Sequence, residues 1–219
     1  MSLSELWSLY GQNYIDALLA TWGMTLESFA IAMVLAVAVT VMRVSPLKPL
    51  RVFGDLYVEV FLNIPGIALL IIVVYALPPL KVVLPYRTCV IVATVLLGSA
   101  FGSENFMSGI NTVGVGQVEA ARSLGMSFSR ILAKIVIPQA LRSSVLPMTN
   151  LFIAVMLTTA LGSQVPLKPQ ELTGVVSYIN TRSLGGVAAF FISALGYLGT
   201  AFVVSHIGNY IDKKVRILR

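Results

Sequence analysis

An all-α membrane protein with five transmembrane helices is what this sequence predicts, on three observations. Of its 219 residues 57% are hydrophobic and only 11% charged, against about 25% charged in an ordinary soluble domain; the mean hydropathy is +0.89. Five apolar segments, residues 21–42, 55–77, 88–110, 138–161 and 186–211, reach the roughly 20 residues that a helix needs to cross the hydrocarbon core. The basic residues also gather at the ends of those segments. With the amino terminus outside, Arg43, Lys48, Arg51, Arg122, Arg130, Lys134, Arg142, Lys213, Lys214, Arg216 and Arg219 fall on the inner loops and the tail, against Lys81, Arg87, Lys168 and Arg182 outside. This is the positive-inside pattern. It accounts for a net charge of +6 through membrane topology and gives no reason to invoke a nucleic-acid partner.

Residues 1–219 read as one domain. The first 19 residues carry Glu5 and Asp16 but no Lys or Arg. They lack the basic start of a secretory signal and are expected to stay as an interfacial helix. The first span, residues 21–42, ends at the proline- and charge-rich stretch Arg43 to Pro49, a surface loop. The second is interrupted by Pro65-Gly66, which loosens a helix midway and frees backbone groups that can line a substrate path; the plain alternative is a packing kink. The third carries Gly98 and Gly102 at a spacing that lets another helix approach closely. The fourth is expected to open at Pro138, tolerated in a first helical turn, and the fifth carries Gly196 and Gly199.

Between the third and fourth spans lies the one long polar interruption, within residues 111–137. Its stretch GQVEAARSLGMSFSRILAKIVIP, residues 116–138, reads as two short helices joined at Gly125. Residues 117–124 are good helix formers, and Gly125 suits the left-handed position that ends a helix. Ser127 is placed as the N-cap of a second short helix, with Phe128, Ile131, Leu132 and Ile135 on one face. The plain reading is an amphipathic interfacial hairpin.

Glu119-Ala120-Ala121, Gly125 six residues after the Glu, then Ile135, Ile137 and Pro138 resemble the EAA loop of ABC-importer permeases, with Ile137 where Leu is usual. Glu104, Ser108-Gly109-Ile110, Gly116-Gln117 and Ala121 to Gly125 extend the likeness toward the polar amino-acid importer branch. The resemblance implies a type I importer permease fold in a bacterial plasma (inner) membrane. It also implies a pore shared with a second permease subunit, as a heterodimer or a homodimer, with two ATPase subunits and an external substrate-binding protein completing the machine. ATP and magnesium would belong to the separate ATPase, so this chain would bind no cofactor and would not itself be an enzyme. Glu119, Ala120, Ala121, Gly125, Ser127 and Arg130 would then form the ATPase-coupling surface, facing the cytoplasm as the charge pattern requires.

The chain agrees in having no GxxxxGK[ST] phosphate loop. One cysteine, Cys89, offers no internal disulfide, and no Cys/His cluster suggests a metal. Along the substrate path the candidates are Asn63, Pro65, Thr158 and Thr159, polar or helix-breaking residues at similar depth, together with Glu104. Ser and Thr in membranes often simply bond their own helix. Charge inside a bilayer is costly and faces protein or water. Glu104 is therefore either structural, paired with a basic residue near the cytoplasmic end, or part of the path, and Glu59 stays open. Glu27 can reach the headgroups, and His206 is a lone histidine. The competing class is a proton-coupled secondary transporter relaying through Glu59 or Glu104, against which five spans without an internal repeat speak. The chain also departs from the branch, with Leu62, Met107 and Met156 at positions that usually carry a basic residue. Because an amino-acid carboxylate in an apolar site wants a cation, this subunit is expected to be the non-binding half of a heterodimeric pore.

Overall fold

The computed structural model describes residues 2–183 and 186–215; Arg216 and Arg219 of the charge pattern lie outside them. The described residues are helical, with no strands among them. The organising element is α1, Leu3–Val44, started by a reciprocal cap in which Ser2 Oγ accepts from the Glu5 amide and Glu5 Oε2 accepts from the Ser2 amide. The expected separate interfacial helix is corrected here. Nothing between residues 3 and 44 breaks a helix, so the two run on as one rod of 42 residues, about 63 Å long at 1.5 Å per residue, twice the hydrocarbon thickness.

Against α1 packs α4, Tyr86–Asn111. The contact is close because small residues face each other. A side chain at Gly98 would meet Ala32, and one at Gly102 would stand 2.8 Å from the Ala36 Cβ, while Ala32 and Ala36 are fully buried. This is the approach that the glycine spacing predicts.

The second apolar segment departs most from its sequence reading. It forms α2, Lys48–Asn63, and α3, Gly66–Ile71, and the helices on either side of Ile64-Pro65 are bent by 102°. The expected helix loosened midway is a full corner, because Pro65 lacks the amide that would continue α2 and holds residue 64 extended. A π-turn, Ile72–Ala76, follows α3 and ends just before Pro78-Pro79. The same device recurs before Pro138. The loop holds α5, Val115–Ser123, and α6, Phe128–Ile131, after which a π-turn, Leu132–Val136, leads without interruption into α7, Ile137–Ser143. Pro138 therefore does not restart the chain. The wider π-turn spares the proline ring its clash with the carbonyl four residues back, and the helix passes through.

The remaining elements are α8, Val145–Thr158, continued by a 3₁₀ segment, Thr159–Gln164, then α9, Leu172–Asn180, and α10, Gly186–Val215. Among the described residues, four helical segments are long and apolar enough to cross a membrane, or five if the bent pair makes one crossing. Many large apolar side chains, among them Val34, Phe190, Leu198 and Phe202, are exposed on α1 and α10, as suits surfaces solvated by lipid.

Candidate functional site

The loop between α4 and α7 has its own small core. Ala121 and Ile131 are buried with Val113 and Val136, and Met126 and Leu132 pack on them. Its turn is a complete Schellman motif. Gly125 lies at φ +74°, its amide donates to Arg122 O at 2.9 Å, and the Met126 amide donates to Ala121 O at 3.1 Å. Gln139 Nε2 donates to Gln117 Oε1 at 2.7 Å and ties the start of the hairpin to α7.

Of the six residues expected on the coupling surface, Glu119, Ala120, Gly125, Ser127 and Arg130 are exposed, while Ala121 is turned inward. Ser127 occupies the N-cap position with extended backbone, but its side chain accepts no capping bond. The sequence reading overlooked Leu124 and Val115, which are 82% and 71% exposed. The available signal was a leucine next to the glycine of a tight, basic hairpin, since a turn connecting two helices runs over the surface and exposes what flanks it.

The broken helix borders an open cavity of about 640 Å³ lined by Leu62, Ile64, Gly66 and Ile67 from the break, Leu97 and Phe101 from α4, and Leu157, Thr158, Ala160, Leu161 and Gln164. Every lining side chain is uncharged. Among the five path candidates only Thr158 lines it. Asn63 is exposed and its Nδ2 donates to Glu59 O, Pro65 sits at the corner, and Thr159 is wholly buried and donates to Met156 O. Thr158 itself donates to Ala154 O at 2.8 Å, so its oxygen can still accept. Gln164 is the polar lining residue that hydropathy alone missed, because it belongs to the 3₁₀ continuation past the apolar run. Leu62 faces the cavity, whereas Met156 is buried away from it.

Glu104 stands apart from this cavity. Arg43 Nη2 donates to Glu104 Oε1 at 2.8 Å, and Arg43 Nε to Asp55 Oδ1 at 2.9 Å. Glu59 is exposed, as is the Glu27–Arg87 pair on α1 and α4.

A carboxylate that no motif announced is the most buried acid. Glu171 has no exposed surface; its oxygens accept from the amides of Gly174 at 2.6 Å and Thr173 at 2.5 Å and from the Tyr197 hydroxyl at 3.1 Å. It caps α9 and fastens it to α10, while the Leu172 amide donates to Thr21 Oγ1 on α1. Burial pushes its carboxyl above the usual range, against the lowering effect of the two amides and the tyrosine.

A helical membrane core with a helix broken beside a cavity, and a compact hairpin projecting from one end, define a transport protein of the permease class. The chain belongs to the family described as binding-protein-dependent transport system inner membrane component, which matches residues 28–217. It is 32% identical over 208 residues to the glutamate transport system permease protein GluC of Corynebacterium efficiens, covering 90% of this chain and 91% of that one. It is 30% identical over 215 residues to the L-cystine transport system permease protein TcyB of Bacillus subtilis, covering 95% and 91%. The fold matches the crystal structure of an amino acid ABC transporter with histidines at a TM-score of 0.91 and 24% identity, over 98% of this chain and 99% of that one. It also matches an inward-facing MetNI methionine ABC transporter at a TM-score of 0.74 and 19% identity, over 99% and 100%.

Proposed function

We propose that this chain is the pore-forming permease subunit of an ATP-driven importer of polar amino acids, of the glutamate, glutamine or basic amino-acid kind. It works with a separate ATPase, an external binding protein and a second permease subunit. The observation that carries this reading is the rigid, basic hairpin with Leu124 and Gly125 at its exposed tip, found on a chain whose relatives are named as amino-acid permeases. The placement of basic residues supports a cytoplasmic hairpin and an outer amino terminus. Glu119, Ala120, Gly125, Ser127 and Arg130 supply the polar and small surface that meets the ATPase, Leu124 inserts as its apolar anchor, and Ala121 holds the hairpin together from within. ATP binding and hydrolysis on the partner move this knob, and the movement opens the pore toward the donor binding protein. The relatives lend no support to a proton-coupled carrier.

The uncharged cavity supports a passage or a minor contact surface for substrate in preference to a tight site. Thr158 and Gln164 offer neutral hydrogen bonds, which are worth about half a charge-assisted one, so the second subunit holds the substrate carboxylate in a heterodimeric pore. The test is purification of the complex from native membranes, identification of the accompanying chains, and reconstitution with labelled L-glutamate, L-glutamine, L-cystine and L-arginine. ATP-dependent uptake of one of them, with a different permease chain present, is the expected result. A working pore built from two copies of this chain, or uptake driven by a proton gradient without ATP, overturns the reading.

A further inference from the structure

We propose that Arg43 is a positioning residue for transport, the junction through which movement of the α5–α6 hairpin reaches the broken helix beside the cavity. The proposal rests on the hairpin being the ATPase contact.

Arg43 is the last-turn arginine of α1, and its side chain is only 12% exposed, whereas those of its partners Asp55 and Glu104 are 62% and 44% exposed. One guanidinium reaches two other helices. Nε holds Asp55 on α2, Nη2 holds Glu104 on α4, and Nη1 donates to Ser103 Oγ at 3.2 Å. Ser103 in turn accepts from Thr40 Oγ1 of α1 at 3.1 Å. The planar guanidinium spreads its donors over three nitrogens in a rigid fork, so each acceptor is met by a different nitrogen, whereas a lysine would gather its three donors on one rotatable point charge. The backbone has made room for it, since a Cβ on Gly54 would stand 2.8 Å from the Arg43 Cγ.

The position gives the clamp its role. From Glu104, α4 runs two turns to Asn111 and into the hairpin, and Gly109 on that stretch lies against Ala140 and Ser144 beyond it. From Asp55, α2 runs about two turns to its end at Asn63, where the corner at Pro65 and the cavity follow. A neutral tie, Tyr57 to Ser99 at 2.7 Å, lies close by. Displacement of the root of the hairpin therefore reaches α2 through charge-assisted bonds, which fix direction and are about twice as strong as neutral ones.

The test uses the complete complex in proteoliposomes with its loaded binding protein and the amino acid it imports from the panel above. Uptake and ATP hydrolysis are normalised to assembled complex. Arg43→Gln should lower uptake at least tenfold and bring the ratio of stimulated to unstimulated ATP hydrolysis close to one. Arg43→Lys should fall between, because it keeps the charge and loses the fork. Asp55→Asn, at an exposed position, severs only the α2 arm and should uncouple while leaving assembly intact. If uptake and hydrolysis of these variants fall together with the ratio unchanged, or if Asp55→Asn couples like wild type, Arg43 is only structural and the proposal fails. Gly125→Val run in parallel separates the two ideas. If it uncouples while the Arg43 variants do not, the junction is wrong; if it has no effect, the hairpin assignment is wrong.

Discussion

Gly125 permits a prediction whose size follows from backbone geometry alone. Its φ is +74° and nothing lies within 4 Å of the position where a Cβ would stand, so a Cβ there meets no neighbour among the described residues. The left-handed conformation costs an L-residue about 1–2 kcal/mol. Asn pays least because its side chain bonds locally, and a β-branched residue pays most. The two Schellman bonds to Arg122 and Ala121 depend on that conformation. A penalty of about 2 kcal/mol shifts the balance between the docked hairpin and a hairpin with α6 misplaced by roughly thirtyfold. Uptake and substrate-stimulated ATP hydrolysis of the reconstituted complex should therefore decline in the order Asn, Ala, Val. The Val variant should be down by at least an order of magnitude while still inserting into the membrane. Wild-type coupling in Gly125→Val would refute the reasoning. So would an equal loss in all three, because that pattern belongs to exclusion of any side chain by a partner surface and not to backbone strain.

Helix approach gives a second contrast: Gly109→Leu must displace the Ser144 hydroxyl and the Ala140 carbonyl, whereas Gly199 on α10 has open space around it. The first should cost at least 1–3 kcal/mol, seen as a lower thermal midpoint and yield of solubilised complex, and Gly199→Ala should be neutral within error. Glu171 gives a pH dependence. Burial raises its carboxyl in the folded chain, so the folded state holds that proton more tightly than the unfolded one. Its stabilisation is complete below the ordinary carboxylate range and is lost as pH rises through the raised value. Glu171→Gln should abolish that slope in thermal melts, and an unchanged slope would show that another group titrates. For orientation, a membrane-impermeant thiol reagent applied to intact cells should label Thr181→Cys and spare Ser129→Cys, both in a Cys89→Ser background. The reverse pattern would invert the topology.

Much of this protein was legible before any coordinates, for definite reasons. Predominantly apolar segments of about twenty residues, charge at their ends and no phosphate loop are one-dimensional facts, and lipid forces a spanning segment to satisfy its own backbone as helix. Gly98, Gly102 and Gly125 were equally readable, because a missing side chain or a positive φ is a property of a single position and the structure uses each as expected. What the sequence left open depended on neighbours far along the chain. Whether Pro65 kinks or corners a helix depends on what α3 packs against, and here Gly66 lies on Leu97 and Leu161. Whether Pro138 stops a helix depends on the π-turn before it. Glu104 could be assigned no partner until α1 delivered Arg43 from 61 positions away. Glu171 drew no notice, since a lone acid in a loop becomes a buried, tyrosine-bonded cap only when Tyr197 arrives from α10 and Thr21 of α1 takes the neighbouring Leu172 amide. Local chemistry fixed the helices, and the tertiary fold decided which polar groups they bring together, because a buried charge takes its meaning from the partners that offset its desolvation.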